Sequence, residues 1–128
     1  MGDVPEVLAL WERARSSAAV TPDDEAGVTR LVTRDALLVA EANGRLVGTL
    51  VAAWDGWRGN MYRLAVLPEY RRRGLARRLV QDGHQRLKAQ GARRITALVA
   101  DDEGDATGLW RAVGYERDEQ IVRFVRNL

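Results

Sequence analysis

The sequence predicts an α+β fold (mixed α/β), a mostly antiparallel twisted sheet flanked by about four helices. Three observations carry this. Asn43-Gly44 lies between two apolar runs at 37–42 and 45–54, and Asn-Gly is a strong hairpin signal because both turn positions need positive φ. Residues 75–90 have a helical period, with Leu75, Leu79, Gly83 and Leu87 on one face and Val80 widening it. That helix is flanked by aliphatic runs at 60–67 and 94–99, which makes one β-α-β crossover.

The remaining elements follow in order. Val7, Leu8, Trp11 and Ala14 recur at helical spacing over 5–19, with Asp3 able to cap the start. Thr21-Pro22-Asp23-Asp24 breaks that helix and starts a second one running to 34, with Val28, Leu31 and Val32 as its apolar stripe. Asp55-Gly56 and Arg58-Gly59 mark a second turn, and Pro68 stops the third strand. Gly91 ends the long helix. An acidic loop at 101–105 leads into a short helix at 106–113, ended by Gly114; Tyr115 and residues 120–125 then close the sheet. There is no repeat or linker, so residues 1–128 are expected to form a single domain.

Composition narrows the function. Hydrophobic residues make up 46% and charged residues 30%, an ordinary globular balance. No apolar run approaches the roughly 20 residues that span a bilayer, and the start Met1-Gly2-Asp3-Val4-Pro5-Glu6 has no basic or apolar signal core; a cytoplasmic protein with no membrane partner is expected. Cysteine is absent, which excludes disulfides, thiolate metal sites and a cysteine nucleophile. The single histidine, His84, cannot build a multi-histidine metal site and reads as a partly exposed helix residue, so no metal is expected. Net charge is +2, yet Arg71, Arg72, Arg73, Arg77 and Arg78 cluster at one turn. A local basic patch on a nearly neutral chain suits one anionic ligand better than a nucleic-acid track, and no aromatic-basic stacking pattern accompanies it.

That turn joins a strand to a helix. Proline closes the strand, Gly74 lets backbone approach a ligand, and Ala76 keeps the next turn small. The helix from Leu75 points its free N–H groups and positive dipole end back at the loop, which suits a pyrophosphate. The same residues also read as a solvated basic turn, and on their own they leave both readings open.

The stretch Leu64-Ala65-Val66-Leu67-Pro68-Glu69-Tyr70-Arg71-Arg72-Arg73-Gly74-Leu75-Ala76 resembles the signature of the GNAT acetyltransferase superfamily, Gln/Arg-x-x-Gly-x-Gly/Ala after a strand, with Arg71, Gly74 and Ala76 at the signature positions. Ala106-x-x-Leu109-Trp110-x-x-x-Gly114-Tyr115 is similar to the family's Ala-x-x-Leu-Tyr-x-x-x-Gly-Phe helix. The resemblance covers roughly residues 37–126. The run Trp54-Asp55-Gly56-Trp57-Arg58-Gly59 further resembles the Asp-Gly-x-Arg-Gly turn of small bacterial members.

The resemblance implies a GNAT-like sheet with a splayed cofactor strand, and acetyl-CoA as co-substrate. It implies that backbone at Leu64, Ala65 and Val66 pairs with the pantetheine arm, with Val66 N–H as oxyanion donor. It implies that the amides of Arg72, Arg73, Gly74, Leu75, Ala76 and Arg77 hold the pyrophosphate beside Arg71, with Trp110 near the cofactor. The expected reaction is direct acetyl transfer to a primary amine of a small molecule or peptide; the alternative is an acetyl-CoA-binding module or sensor with little turnover. Dimers are frequent in the family, so the resemblance allows a homodimer.

The sequence departs from the family pattern in places. Trp110 stands where many members have a tyrosine that protonates the leaving thiolate, and an indole N–H is a poor acid. Glu103 replaces an asparagine that contacts the cofactor, and Leu98 stands where some relatives place a glutamate base. Base candidates are Glu41, Asp55 and Glu103. Each also has a plainer reading: an exposed strand residue, an Asx turn and a solvated loop. Trp54 and Trp57 read either as an acceptor pocket with Asp55 attracting the amine, or as aromatic packing around a tight hairpin; Trp11 reads as core or pocket roof.

Overall fold

The computed structural model describes residues 3–13, 23–99 and 104–128, with side chains at 104–107 left out. The chain runs α1 Val4–Arg13, α2 Glu25–Thr33, β1 Leu37–Ala42, β2 Arg45–Trp54, β3 Gly59–Val66, α3 Leu75–Gln90, β4 Ile95–Ala97 and α4 Gly104–Ala112. A single 3-10 turn, Pro68–Tyr70, lies between β3 and α3. The sheet order is β1-β2-β3-β4. β1 and β3 pair antiparallel with β2, while β4 pairs parallel with β3 because the α3 crossover carries the chain back to the same end. No helix among the described residues is long and apolar enough to cross a membrane.

Local chemistry explains the elements. Asn43 and Gly44 take φ of 55° and 72°, closing the β1–β2 hairpin as the Asn-Gly pair requires. The Asp24 carboxylate accepts a hydrogen bond of 2.6 Å from Gly27 N–H, so α2 starts at an aspartate cap. α3 has the predicted bounds, and Gly91 at its end takes φ 115°.

The sheet is covered on both faces. Val47 and Val51 of β2 pack with Val4, Val7, Leu10 and Trp11 of α1 and with Val28 of α2. Leu50 and Ala52 pack on the other face with Met61, with Leu79, Val80 and Leu87 of α3, and with Trp110 of α4. Gly83 allows the close approach of α3: a Cβ there would lie 2.9 Å from Leu50 Cδ2 and 3.0 Å from Met61 Sδ.

The C-terminal end departs from expectation. Residues 120–125 form no strand, and Ile121, Val122, Phe124 and Val125 are between 69% and 92% exposed. The preceding strand is also shorter than the aliphatic run at 94–99, since β4 covers only Ile95–Ala97. An edge of that length offers few backbone groups for a further strand to pair with.

Candidate active site: an open strand end facing an uncapped helix

β3 is two half-strands joined by a bulge. Its first half pairs with β4 at Gly59↔Ile95, Asn60↔Thr96 and Met61↔Ala97, and Leu98 N–H closes the pairing on Met61 carbonyl at 3.0 Å. From Tyr62 to Val66 the strand pairs with β2 alone among the described residues, so its other edge has no strand partner among them. On the β2 side the register is Val51↔Tyr62 and then Thr49↔Ala65. Arg63 and Leu64 therefore face the single residue Leu50, and Arg63 takes a left-handed φ of 55°.

The inserted residue decides which way the backbone groups point. Before the bulge, the odd-numbered residues face β4: Gly59 N–H donates to Arg94 carbonyl at 3.1 Å, and Met61 carbonyl accepts from Leu98. After it, Leu67 N–H donates to Val47 carbonyl at 2.9 Å, toward β2. Backbone groups alternate sides along a strand, so Leu64 and Val66 turn theirs to the edge away from β2 while Ala65 turns toward β2. Val66 carbonyl accepts Arg71 Nε–H at 3.1 Å, which ties the following loop to the strand end.

The loop that follows is exposed and turns its backbone through two left-handed residues. Arg72 and Gly74 take φ of 64° and 79° on either side of Arg73, and α3 starts with no side chain capping its first amides. Successive amides in such turns converge on one point, and an uncapped helix start adds its dipole. Arg71, Arg72, Arg73 and Gly74 are exposed, and a Cβ at Gly74 would meet nothing within 4 Å. The Arg73 guanidinium lies 5.0 Å from the Tyr70 ring centroid, which holds one cation over the loop. Donors, charge and open space fit a diphosphate.

The other sequence candidates fall elsewhere. Glu41 is exposed on β1, two strands away from β3. Asp55 sits in the β2–β3 turn, where its Oδ1 accepts from Trp57 N–H at 2.8 Å and Arg58 N–H at 2.7 Å. Those backbone bonds hold its carboxyl below the usual aspartate value of 3.8. This turn lies at the Gly91 end of α3, where Trp54 packs at 3.8 Å from a Gly91 Cβ position, so a helix of 16 residues separates it from the cradle, about 24 Å. A cavity of about 370 Å³ does exist beside Trp54 and Trp57, but Arg58, Arg93 and Arg94 line it, which suits an anion better than an amine. Glu103 lies outside the described residues.

Trp110 is 5% exposed in the core and stacks edge-on against Tyr115, with centroids 5.2 Å apart. Tyr115 Oη and His84 Nδ1 are 2.9 Å apart, a pairing that helix periodicity alone does not reveal. Burial pushes the Tyr115 phenol above the usual 10.0. Leu64 packs its side chain toward the α3 face and Ala65 toward the α1 face.

Sequence reasoning also missed Thr49, the fully buried polar side chain of β2. Trp11 Nε1–H donates to Thr49 Oγ1 at 2.8 Å, and Thr49 Oγ1–H donates to Arg63 carbonyl at 3.0 Å. A threonine inside the run Leu46-Val47-Gly48-Thr49-Leu50-Val51 was the available signal.

This arrangement is that of a known class. Residues 5–115 match the sequence profile of the acetyltransferase (GNAT) family. Among solved structures, an aminoglycoside N-acetyltransferase in complex with CoA superposes with a TM-score of 0.77 at 18% identity, covering 99% of this chain and 90% of that one. An aminoglycoside 6'-N-acetyltransferase from Acinetobacter haemolyticus gives 0.72 at 20% identity, covering 99% and 94%. A Mycobacterium tuberculosis protein in complex with CoA gives 0.77 at 20% identity, covering 92% and 69%. The chain belongs to the GNAT acetyltransferase family, whose acetyl donor is acetyl-CoA. It shares the fold of these neighbours, and its class is that of an N-acetyltransferase.

Proposed function

We propose that this chain binds acetyl-CoA between the open end of β3 and the start of α3 and transfers the acetyl group directly to a primary amine of a small molecule or peptide. The carrying observation is the juxtaposition of Val66, whose N–H faces the edge away from β2, with the uncapped, arginine-rich start of α3. The amides of Arg72, Arg73, Gly74, Leu75, Ala76 and Arg77 hold the pyrophosphate, helped by the α3 dipole. Leu64 and Val66 offer backbone groups to the pantetheine arm; Ala65 contributes through its position between them. Val66 N–H donates to the thioester oxygen as amine attack builds negative charge there. The protein's main contribution is positioning, which converts a bimolecular attack into a local one.

A second reading is a binding module with little turnover. It is favoured by two observations: neither Glu41 nor Asp55 reaches this site, and Trp110 fills the core where an acidic phenol would serve. In the catalytic reading, solvent takes the amine proton and protonates the thiolate.

Release of free thiol from acetyl-CoA, measured against sisomicin, spermidine and a peptide with a free N-terminus, separates the two readings. Amine-dependent thiol release is expected with at least one of them. Tight acetyl-CoA binding with no release above background for any would favour the module.

A further inference from the structure

The bulge in β3 is a costly conformation for its residue. Arg63 is not glycine or asparagine, and left-handed backbone is unfavourable for an ordinary residue. Something must hold it there. Three contacts converge on this residue from outside β3. Its carbonyl accepts the Thr49 hydroxyl at 3.0 Å. Its guanidinium sits 4.8 Å from the Trp11 ring centroid and pairs with Asp23. Trp11 in turn donates to Thr49 at 2.8 Å, so the hydroxyl both accepts and donates. Thr49 is 0% exposed and Trp11 5%, so the bond between them cannot be replaced by bulk water without opening the core.

The consequence falls on the edge of β3 away from β2. The bulge is the one-residue slip that turns Val66 N–H toward the cofactor side. A strand without it would keep odd residues facing that edge and present Leu67 there instead. We infer that Thr49, held between the Trp11 indole and the Arg63 carbonyl, is a positioning residue that fixes the β3 bulge and thereby aims Val66 N–H at the thioester. This rests on the acetyl-CoA reading above for its functional meaning and on the hydrogen-bond chain for its structural one. Thr49 touches no substrate in this role; it acts through Arg63 and the strand.

The test uses Thr49→Val, which keeps the shape and removes the hydroxyl, with Thr49→Ser as the conservative control. CoA and acetyl-CoA are titrated separately by calorimetry. They share the pyrophosphate and the pantetheine arm and differ in the thioester carbonyl, so their affinity ratio reads the Val66 contact to that carbonyl without an amine. In Thr49→Val both ligands should weaken, because both carry the pantetheine arm that meets Leu64 and Val66, and acetyl-CoA should weaken about threefold to tenfold more than CoA, the worth of one hydrogen bond. Thr49→Ser should restore the ratio. Equal weakening of both ligands, or an unchanged ratio in the valine variant, would overturn the assignment. Amide hydrogen exchange at Ala65 and Leu67, whose N–H groups face β2, gives an independent reading. It should quicken at least about tenfold in Thr49→Val relative to β1, and unchanged protection would also overturn the lock. If wild type binds neither ligand, the acetyl-CoA reading fails, and the exchange measurement still decides whether Thr49 holds the bulge.

Discussion

The two ends of α3 carry turns of similar composition and opposite character. At the far end, Asp55-Gly56-Trp57-Arg58 closes on itself: the aspartate side chain accepts from two backbone N–H groups and Arg58 lies 4.7 Å from the Trp57 ring centroid. At the near end, Arg71-Arg72-Arg73-Gly74 has no side chain capping the helix that follows, and its side-chain bond to the backbone runs outward to Val66. Both turns have arginine and a glycine with positive φ. The difference teaches why the ligand site is proposed at the near end: its donors lack internal acceptors, whereas a turn that satisfies its own amides serves as a structural joint.

Replacing Gly74 by valine should break the comparison most sharply. The variant must strain a φ of 79° and place a branched side chain over the amides. CoA affinity measured by calorimetry should fall about hundredfold with the fold retained by circular dichroism. Unchanged affinity would place the diphosphate elsewhere. Gly83→Val tests the packing that brings α3 to the sheet. With Leu50 and Met61 at 2.9 and 3.0 Å from a Cβ, overpacking should cost about 1–3 kcal/mol in urea unfolding.

Asp55→Ala sharpens the other side. The turn should loosen, lowering the melting temperature, while kcat for any accepted amine stays within about twofold, because the carboxylate serves backbone rather than substrate. A large kcat loss at unchanged Tm would restore Asp55 as a base. The sign of its pH effect follows from its lowered pKa. The ionised form is favoured by folding, so its stabilisation is present above the ordinary value of 3.8 and fades as pH falls below it. Acid unfolding of Asp55→Ala should lack that component.

Tyr115→Phe is expected to give the smallest effect. Burial raises the phenol above 10.0, so folding favours the neutral form. Its contribution is complete below that value and is lost as pH climbs through the raised pKa. The phenylalanine variant should therefore lose less stability than wild type on going to strongly alkaline pH in thermal melts.

How much of this was legible in the sequence depends on range. The Asn43-Gly44 hairpin, the α3 bounds and the Arg71–Ala76 signature are local patterns, and all were readable. A splayed strand was expected only from family resemblance. What the structure shows at that strand is a bulge at Arg63, an arginine that no turn rule marks, beside Thr49, which Trp11 reaches from 38 residues earlier. Such tertiary contacts leave only an oddity behind, here a threonine in an apolar strand. Residues 120–125 misled in the opposite way, because β-branched composition signals a strand only when an edge is available to receive it.

The most direct test of the central contrast is an amide NMR titration with CoA. Progressive shifts are expected at the amides of residues 72–77, with those of Trp57 and Arg58 unmoved. Shifts at the Asp55 turn, or silence at residues 72–77 with CoA in millimolar excess, would contradict it.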